Sequence, residues 1–365
     1  GKRQHPGSNH WGMQVGGAAL ALLAIANDPG ADQDKVKKLL DINHKCMITN
    51  VTKGFGDGGF FAEGEGTGSM SSHIVYLIAL QGWKNAAGLD FVSPRPNAQW
   101  TALKWIFQTV PNGGDNLKAS FPCRGAYDHN VWARDGLSGG GYFSIAFGLL
   151  NDDQKAALLW FYDYSGLKAN DAQDKTPLDT PSPYPHHSVL SFVNWPIGMA
   201  EKNPAQVLPT HEVDKIFGFY AFRNQWKDEN DVVVTALTQT AKGNYGCTAG
   251  PVYIVTGKGQ SILPEAFAGN VTSFEPKGRG GILATNDACL AVDFSGASGA
   301  PALIIHTGKG GKPKTGSSES KLPKAADAQV LNVGGAKVTI VAVGANPKAT
   351  VEGDKIVIGG QTISF

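Results

Sequence analysis

The sequence is poor in cysteine: four in 365 residues (Cys46, Cys123, Cys247, Cys289), widely spaced and with no Cys-x-x-Cys pair. Closely spaced zinc or redox motifs are thereby excluded, while free and bridged states both stay open. Excess charge of one sign is also missing. The 32 basic and 31 acidic residues give a formal net charge of +1, so there is no overall electrostatic case for nucleic acid. Long hydrophobic runs are lacking too: the apolar run 18–25 falls short of the roughly 20 residues that span a bilayer. No membrane partner is expected, and no secretory signal peptide is visible. The chain opens on Gly1 rather than Met, and the expectation is that an upstream part has been removed. Glycine, in contrast, is abundant at 47 residues, which predicts many turns and long ordered loops.

Two periodicities divide the chain. From residue 11 to about 210 the apolar pattern is helical, with Val36, Leu39, Leu40 and Met47 at the spacing of a buried stripe. Further helices are predicted over 70–82, 97–110, 139–149, 152–164 and 186–200, separated by loops at 53–69, 111–138 and 165–185. Loops of that length in a compact domain are usually functional. After Pro209, short β-branched or aromatic runs predict strands at 217–222, 231–237, 252–256, 289–294, 302–306, 338–343, 350–351 and 355–358. Glu352, Gly353 and Asp354 read as a hairpin turn, and 308–322 as an exposed loop. The expected fold class is α+β and multidomain: helical over 1–211, then an antiparallel β-sandwich over 212–365. His44 on a helix and His306 on a strand are read as structural.

Four segments carry chemistry. Ser8, Asn9, His10 and Trp11 place an amide and an imidazole where a polar loop meets the helix-like run 13–26, whose Gly16, Gly17, Ala18 and Ala19 permit close approach. The plain alternative is that Asn9 caps that helix. Asp57, Gly58, Gly59, Glu63, Gly64 and Glu65 form a Gly-rich acidic loop, suited to a ligand or, alternatively, to a turn with solvated acids. Tyr127, Asp128, His129, Trp132, Arg134 and Asp135 gather a phenol, an imidazole, an indole and a guanidinium. Arg134 suits a carboxylate and Trp132 a sugar face, against the alternative of a structural Arg–Asp pair with a core Trp. Tyr184, Pro185, His186 and His187 complete the set, without nearby ligands in a metal-binding spacing.

Together these segments resemble the heparinase II/III-like polysaccharide lyases. The resemblance rests on Asn9-His10-Trp11 ahead of a small-residue helix, on the loop from Asp57-Gly58-Gly59 to Glu63-Gly64, and on Phe219, Tyr220, Ala221, Phe222 and Arg223 followed by Trp226. It implies an incomplete α/α toroid followed by a β-sandwich, acting on acidic polysaccharides in the periplasm or outside the cell. Family members commonly carry a Tyr soon after the Glu-Gly loop, whereas here none occurs before Tyr76. They also carry a His-x-His-x-Asp segment on an early sandwich strand. The matching stretch, Tyr245, Gly246, Cys247, Thr248 and Ala249, has none of those ligands, so no metal or other cofactor is expected. The helical half is short for the family, implying a shortened toroid, an upstream fragment, or a contribution from another copy.

A lyase acting on a uronate neutralises the carboxylate, removes the C5 proton and protonates the departing O4. On that reading Asn9 and Arg134 hold the carboxylate, and His10 assists neutralisation or proton transfer. Tyr127 stands first for the missing Tyr, then Tyr184, then Tyr245; His129, His73 and His187 are further candidates for moving protons. Arg124 and Arg134 supply the field that would lower a phenol pKa. Trp11, Glu63, Glu65, His73, Arg124, Trp132 and Tyr245 are assigned to substrate binding. Two rivals stay open. A glycoside hydrolase would pair Glu63 or Glu65 with Asp128 or Asp135, and an inactive acidic-glycan-binding protein would explain the missing Tyr and ligands.

Overall fold

The computed structural model describes residues 6–64, 67–111, 119–120, 145–165, 189, 192–238, 250–257, 259–267, 269–276, 278, 280–286, 288–294, 302–308, 326–333, 336–343, 349–353, 355–358 and 361–364. Within them the chain is α+β, helices first and antiparallel strands after. The helices are α1 (Asn9–Ala24), α2 (Gln33–Lys53), α3 (Thr67–Ala87), α4 (Pro96–Gln108) and α5 (Asp152–Tyr164). Their starts follow local chemistry. Asp32 caps α2 by accepting from Lys35 N, Pro96 opens α4, and Asn151 with Gln154 forms a capping box on α5.

The buried stripe of α2 differs from the predicted one. Val36 and Met47 are buried, but Leu39 is 39% exposed, and Asn43, Asn50 and Val51 complete the inner face. The two asparagines are tolerated there because their amides are used. Asn43 Nδ2 donates to Val15 O and its Oδ1 accepts from Trp83 Nε1, while Asn50 Nδ2 donates to Pro6 O at 2.6 Å. These bonds tie α2 to α1 and α3. Two predicted helices change form. Of 139–149 the described part holds a 3-10 turn at Ile145–Gly148, and over 192–200 only residues 192–194 are helical. Pro196 and Gly198, at φ +79°, end the latter.

The strands are β1 (Val110–Pro111), β2 (Ala119–Ser120), β3 (His211–Asp214), β4 (Phe219–Arg223), β5 (Val232–Leu237), β6 (Gly250–Thr256), β7 (Gly259–Phe267) and β8 (Val271–Pro276). They continue as β9 (Gly280–Thr285), β10 (Ala288–Asp293), β11 (Ala302–Gly308), β12 (Ala326–Val333), β13 (Ala336–Val343), β14 (Ala349–Glu352), β15 (Lys355–Ile358) and β16 (Gln361–Ser364). β3-β4-β5-β6-β7 form one sheet and β12-β13-β11-β10-β9-β8 another; β14-β15-β16 and β1-β2 are smaller. Glu352 pairs with Lys355 around Gly353 at φ +63°, the predicted hairpin.

Every residue of β4 and β5 is buried, because the five-stranded sheet is covered on both faces. Phe219, Ala221, Val233, Leu237 and Val255 join a core with Phe60, Leu103, Ile106, Phe147 and Phe161 of the helical part. Their strand neighbours Tyr220, Phe222, Val232, Val234 and Ile254 instead meet Leu283, Leu290 and Val292 of the six-stranded sheet. The hydrophobic core therefore runs unbroken from helices to sheet across residue 211. Among the described residues, Cys46 and Cys289 are free thiols, and no helix is long and apolar enough to cross a membrane.

Candidate functional site

The start of α1 is built differently from the sequence expectation. Ser8, not Asn9, is the N-cap: its hydroxyl accepts from His10 N at 3.3 Å, and its carbonyl accepts from Trp11 N at 3.0 Å. Asn and Ser are nearly equal caps, so propensity could not choose between them. Just ahead of the cap, the Pro6 carbonyl is held by Asn50 near the end of α2. Asn9 becomes the first helical residue, and His10 is exposed to solvent. Trp11 is half-buried, and among the described residues its buried indole N–H has no hydrogen-bond partner. Such a donor carries a desolvation cost of about 1–3 kcal/mol unless something accepts from it.

The Gly-rich loop begins at the same end of α1. A Cβ on Gly54 would lie 2.6 Å from Pro6 O, and Ala62 N donates to Gly54 O. The structure thus brings the Asn9–Trp11 and Asp57–Glu63 segments to one end of the α1–α2 pair. The two described acids of this loop differ in their setting. Asp57 accepts from Lys215 N at 2.7 Å and from Ile216 N at 3.2 Å, and Glu63 is only 4% exposed. Asp57 is exposed while it holds the turn after β3, whereas Glu63 is buried, against the reading of a solvated acid. The glycines, for their part, serve the chain itself. Cβ atoms on Gly56 and Gly58 would fall 2.0 Å from Asp214 Oδ1 and 1.9 Å from Val213 O, and Gly59 has φ +82° against Trp100. The loop packs on β3.

Asp214 organises that junction and was missed in the sequence. One carboxylate oxygen accepts from Gly58 N at 3.0 Å and Phe60 N at 2.9 Å, the other from Phe217 N at 2.9 Å. Burial, reinforced by the negative charge of Asp57, raises its pKa to about 6 against the lowering effect of the backbone donors. The alternation of His211, Glu212, Val213 and Asp214 was the available signal, since it places two acids on one strand face.

Arg223, quoted above for the resemblance, is wholly buried and holds the architecture together. Its guanidinium donates to Phe107 O at 2.6 Å, Thr109 O at 2.8 Å and Asp231 Oδ2 at 3.0 Å, and also to Tyr164 Oη. The carbonyl end of α4, where the helix dipole is negative, thereby receives a cation. Trp226 Nε1 donates to Ile106 O beside it. Tyr164, whose pKa burial raises well above 10, donates to Asp231 Oδ2 at 2.5 Å. The network is spent on joining α4, α5 and the sheet.

Tyr127, His129, Arg134, Tyr184, His187, Glu65, Arg124, Trp132 and Tyr245 lie outside the described residues, as do the side chains of Asn9 and His73. His73 is placed on α3, whose later part packs on α1: a Cβ on Gly82 would touch Leu20 and Leu23 at 3.4 Å. Among the described residues, no three His, Cys, Asp or Glu side chains converge as metal ligands. Compared with known protein families and with curated proteins, the chain matches none.

Proposed function

We propose that this chain is a polysaccharide lyase cleaving an acidic, uronate-containing polysaccharide by β-elimination. The observation that carries the reading is the cap of α1. With Ser8 closing the helix, Asn9 is relieved of capping and stands with exposed His10 at the positive end of a 16-residue helix, where a carboxylate is favoured. The indole N–H of Trp11, unpartnered among the described residues, adds a donor in the same turn. Asn9 and Arg134 neutralise the uronate, so that charge developing on it at C5 deprotonation is stabilised. Tyr127 is the first candidate for moving the protons, followed by Tyr184 and Tyr245, with His10, His73, His129 and His187 as imidazole partners. Glu63 and Glu65 orient substrate or a catalytic group; Trp132 stacks on a sugar ring. The reading calls for no metal, because 245–249 lack the family ligands.

In fold terms the proposal is an incomplete α/α toroid over 1–211 followed by a β-sandwich over 212–365, in a periplasmic or secreted protein. The antiparallel α1–α2 pair and the core shared by the two larger sheets support it. Asn9→Ala and His10→Ala should each lower turnover of a uronate polymer by about 10²–10³-fold, the usual loss for one charge-stabilising donor. Full lyase activity in both variants and in Tyr127→Phe would overturn the site.

A further inference from the structure

A groove opens between the two larger sheets. β3 is an edge of the five-stranded sheet and β8 an edge of the six-stranded sheet, and an open groove of about 720 Å³ runs between them. That volume falls within the ~300–1,000 Å³ of small-molecule sites. The period of two along β3 turns His211 and Val213 into the groove, while Asp214 faces the Gly58 loop.

Three rings form the groove wall. Phe274 of β8 lies 5.1 Å from Tyr220 and 6.0 Å from His211 between ring centroids. Tyr220 is only 4% exposed, and its ring and that of His211 both face Phe274. Burial lowers the His211 pKa, and burial together with Asp57 and Asp214 raises that of Tyr220, so both are uncharged near neutral pH. Asn270, Thr272 and Ser273 add uncharged polar groups along the other side.

An added β-strand fits this edge poorly. β3 has only four residues, and β8 is interrupted by a register shift between Val271 and Ser273 and ends on Pro276. Short, bulged or proline-ended edges discourage strand addition. A compact ring with one apolar face and hydroxyls at its rim matches the wall instead. Lys215 also lines the groove and Asp57 and Asp214 stand near Tyr220, so charge of neither sign prevails at the wall.

We propose that this groove binds an uncharged sugar ring, stacked on Phe274 with its hydroxyls bonded to Tyr220 and His211. The assignment goes beyond the lyase reading and does not rest on it. The test is an NMR titration of the full chain with cellobiose, maltose and lactose, and with glucuronate as the charged comparison. At least one neutral disaccharide should saturate, with shifts at β3 and β8. Tyr220→Phe, which removes only the hydroxyl and keeps the ring, should weaken it about tenfold, equivalent to one lost hydrogen bond. Phe274→Leu, which keeps an apolar side chain, should weaken it further. Absence of binding by all three disaccharides, unchanged affinity in Tyr220→Phe, or preference for glucuronate would overturn the proposal.

Discussion

The hydroxyl of Ser8 accepts the backbone N–H of His10 at 3.3 Å, which gives the cap of α1 to the residue before Asn9. Stability and function therefore separate between neighbours. Ser8→Ala should cost about 1 kcal/mol of unfolding free energy. Asn9→Ala should leave the urea midpoint nearly unchanged while lowering turnover. Paired denaturation and activity curves for the two variants check this; a larger stability loss in Asn9→Ala would restore the cap to Asn9.

The Gly58 loop and β3 have no room between them. A Cβ on Gly58 would lie 1.9 Å from Val213 O, with Val213 C at 2.6 Å, so backbone has to move. Gly58→Ala should destabilise by about 1–3 kcal/mol, as overpacked sites do. Gly17→Ala is the matched control: nothing lies within 4 Å of that position on α1. There alanine should stabilise by about 0.5–1 kcal/mol. Thermal denaturation of both variants gives the comparison.

Arg223 and Asp231 are a fully buried ion pair at 3.0 Å, and removing one partner strands the other. Asp231→Asn should cost about 3–5 kcal/mol, measured by urea unfolding. Tyr164→Phe removes a hydroxyl bonded to both charges and should cost about 1–3 kcal/mol. Equal, small effects would mean that the network contributes little to joining α4, α5 and the sheet.

Asp214 predicts a pH dependence of defined sign. Its folded pKa, about 6, lies above the ordinary 3.8 because of burial and the charge of Asp57. Between those values the folded protein keeps a proton that the unfolded chain has released. The associated stability is full below about pH 3.8 and is lost as pH rises through about 6. Asp214→Asn should remove that component, seen as a flatter difference between urea midpoints at about pH 4 and about pH 7. An unchanged pH dependence would contradict the assignment.

Element type was legible where burial is extreme. The apolar runs in 217–222 and 231–237 announce strands; in the structure their lack of alternation reflects two covered faces, with helices on one side. Strands β7, β8, β9 and β12 escaped notice because Pro264, Pro276, Gly280, Gly281 and the polar residues of 326–333 dilute the pattern. In β8 the sheet edge is partly exposed, so burial does not enforce alternation. The loop Asp57-Gly58-Gly59 stood out, but its contact is Asp214, 156 residues from Gly58. No local rule reaches across that distance. Asn43 and Asn50 likewise look like surface residues until their acceptors and donors on other elements are known.

The central claim is tested most directly by ultraviolet absorbance of the intact chain incubated with alginate, glucuronan, ulvan, hyaluronan, chondroitin and heparan, with product analysis alongside. The account predicts that at least one polymer yields an absorbing unsaturated uronate end, and that Asn9→Ala and His10→Ala reduce its rate. Saturated reducing ends would mean hydrolysis, and binding of an acidic polymer without turnover across pH would mean a lectin-like role; either result contradicts the lyase.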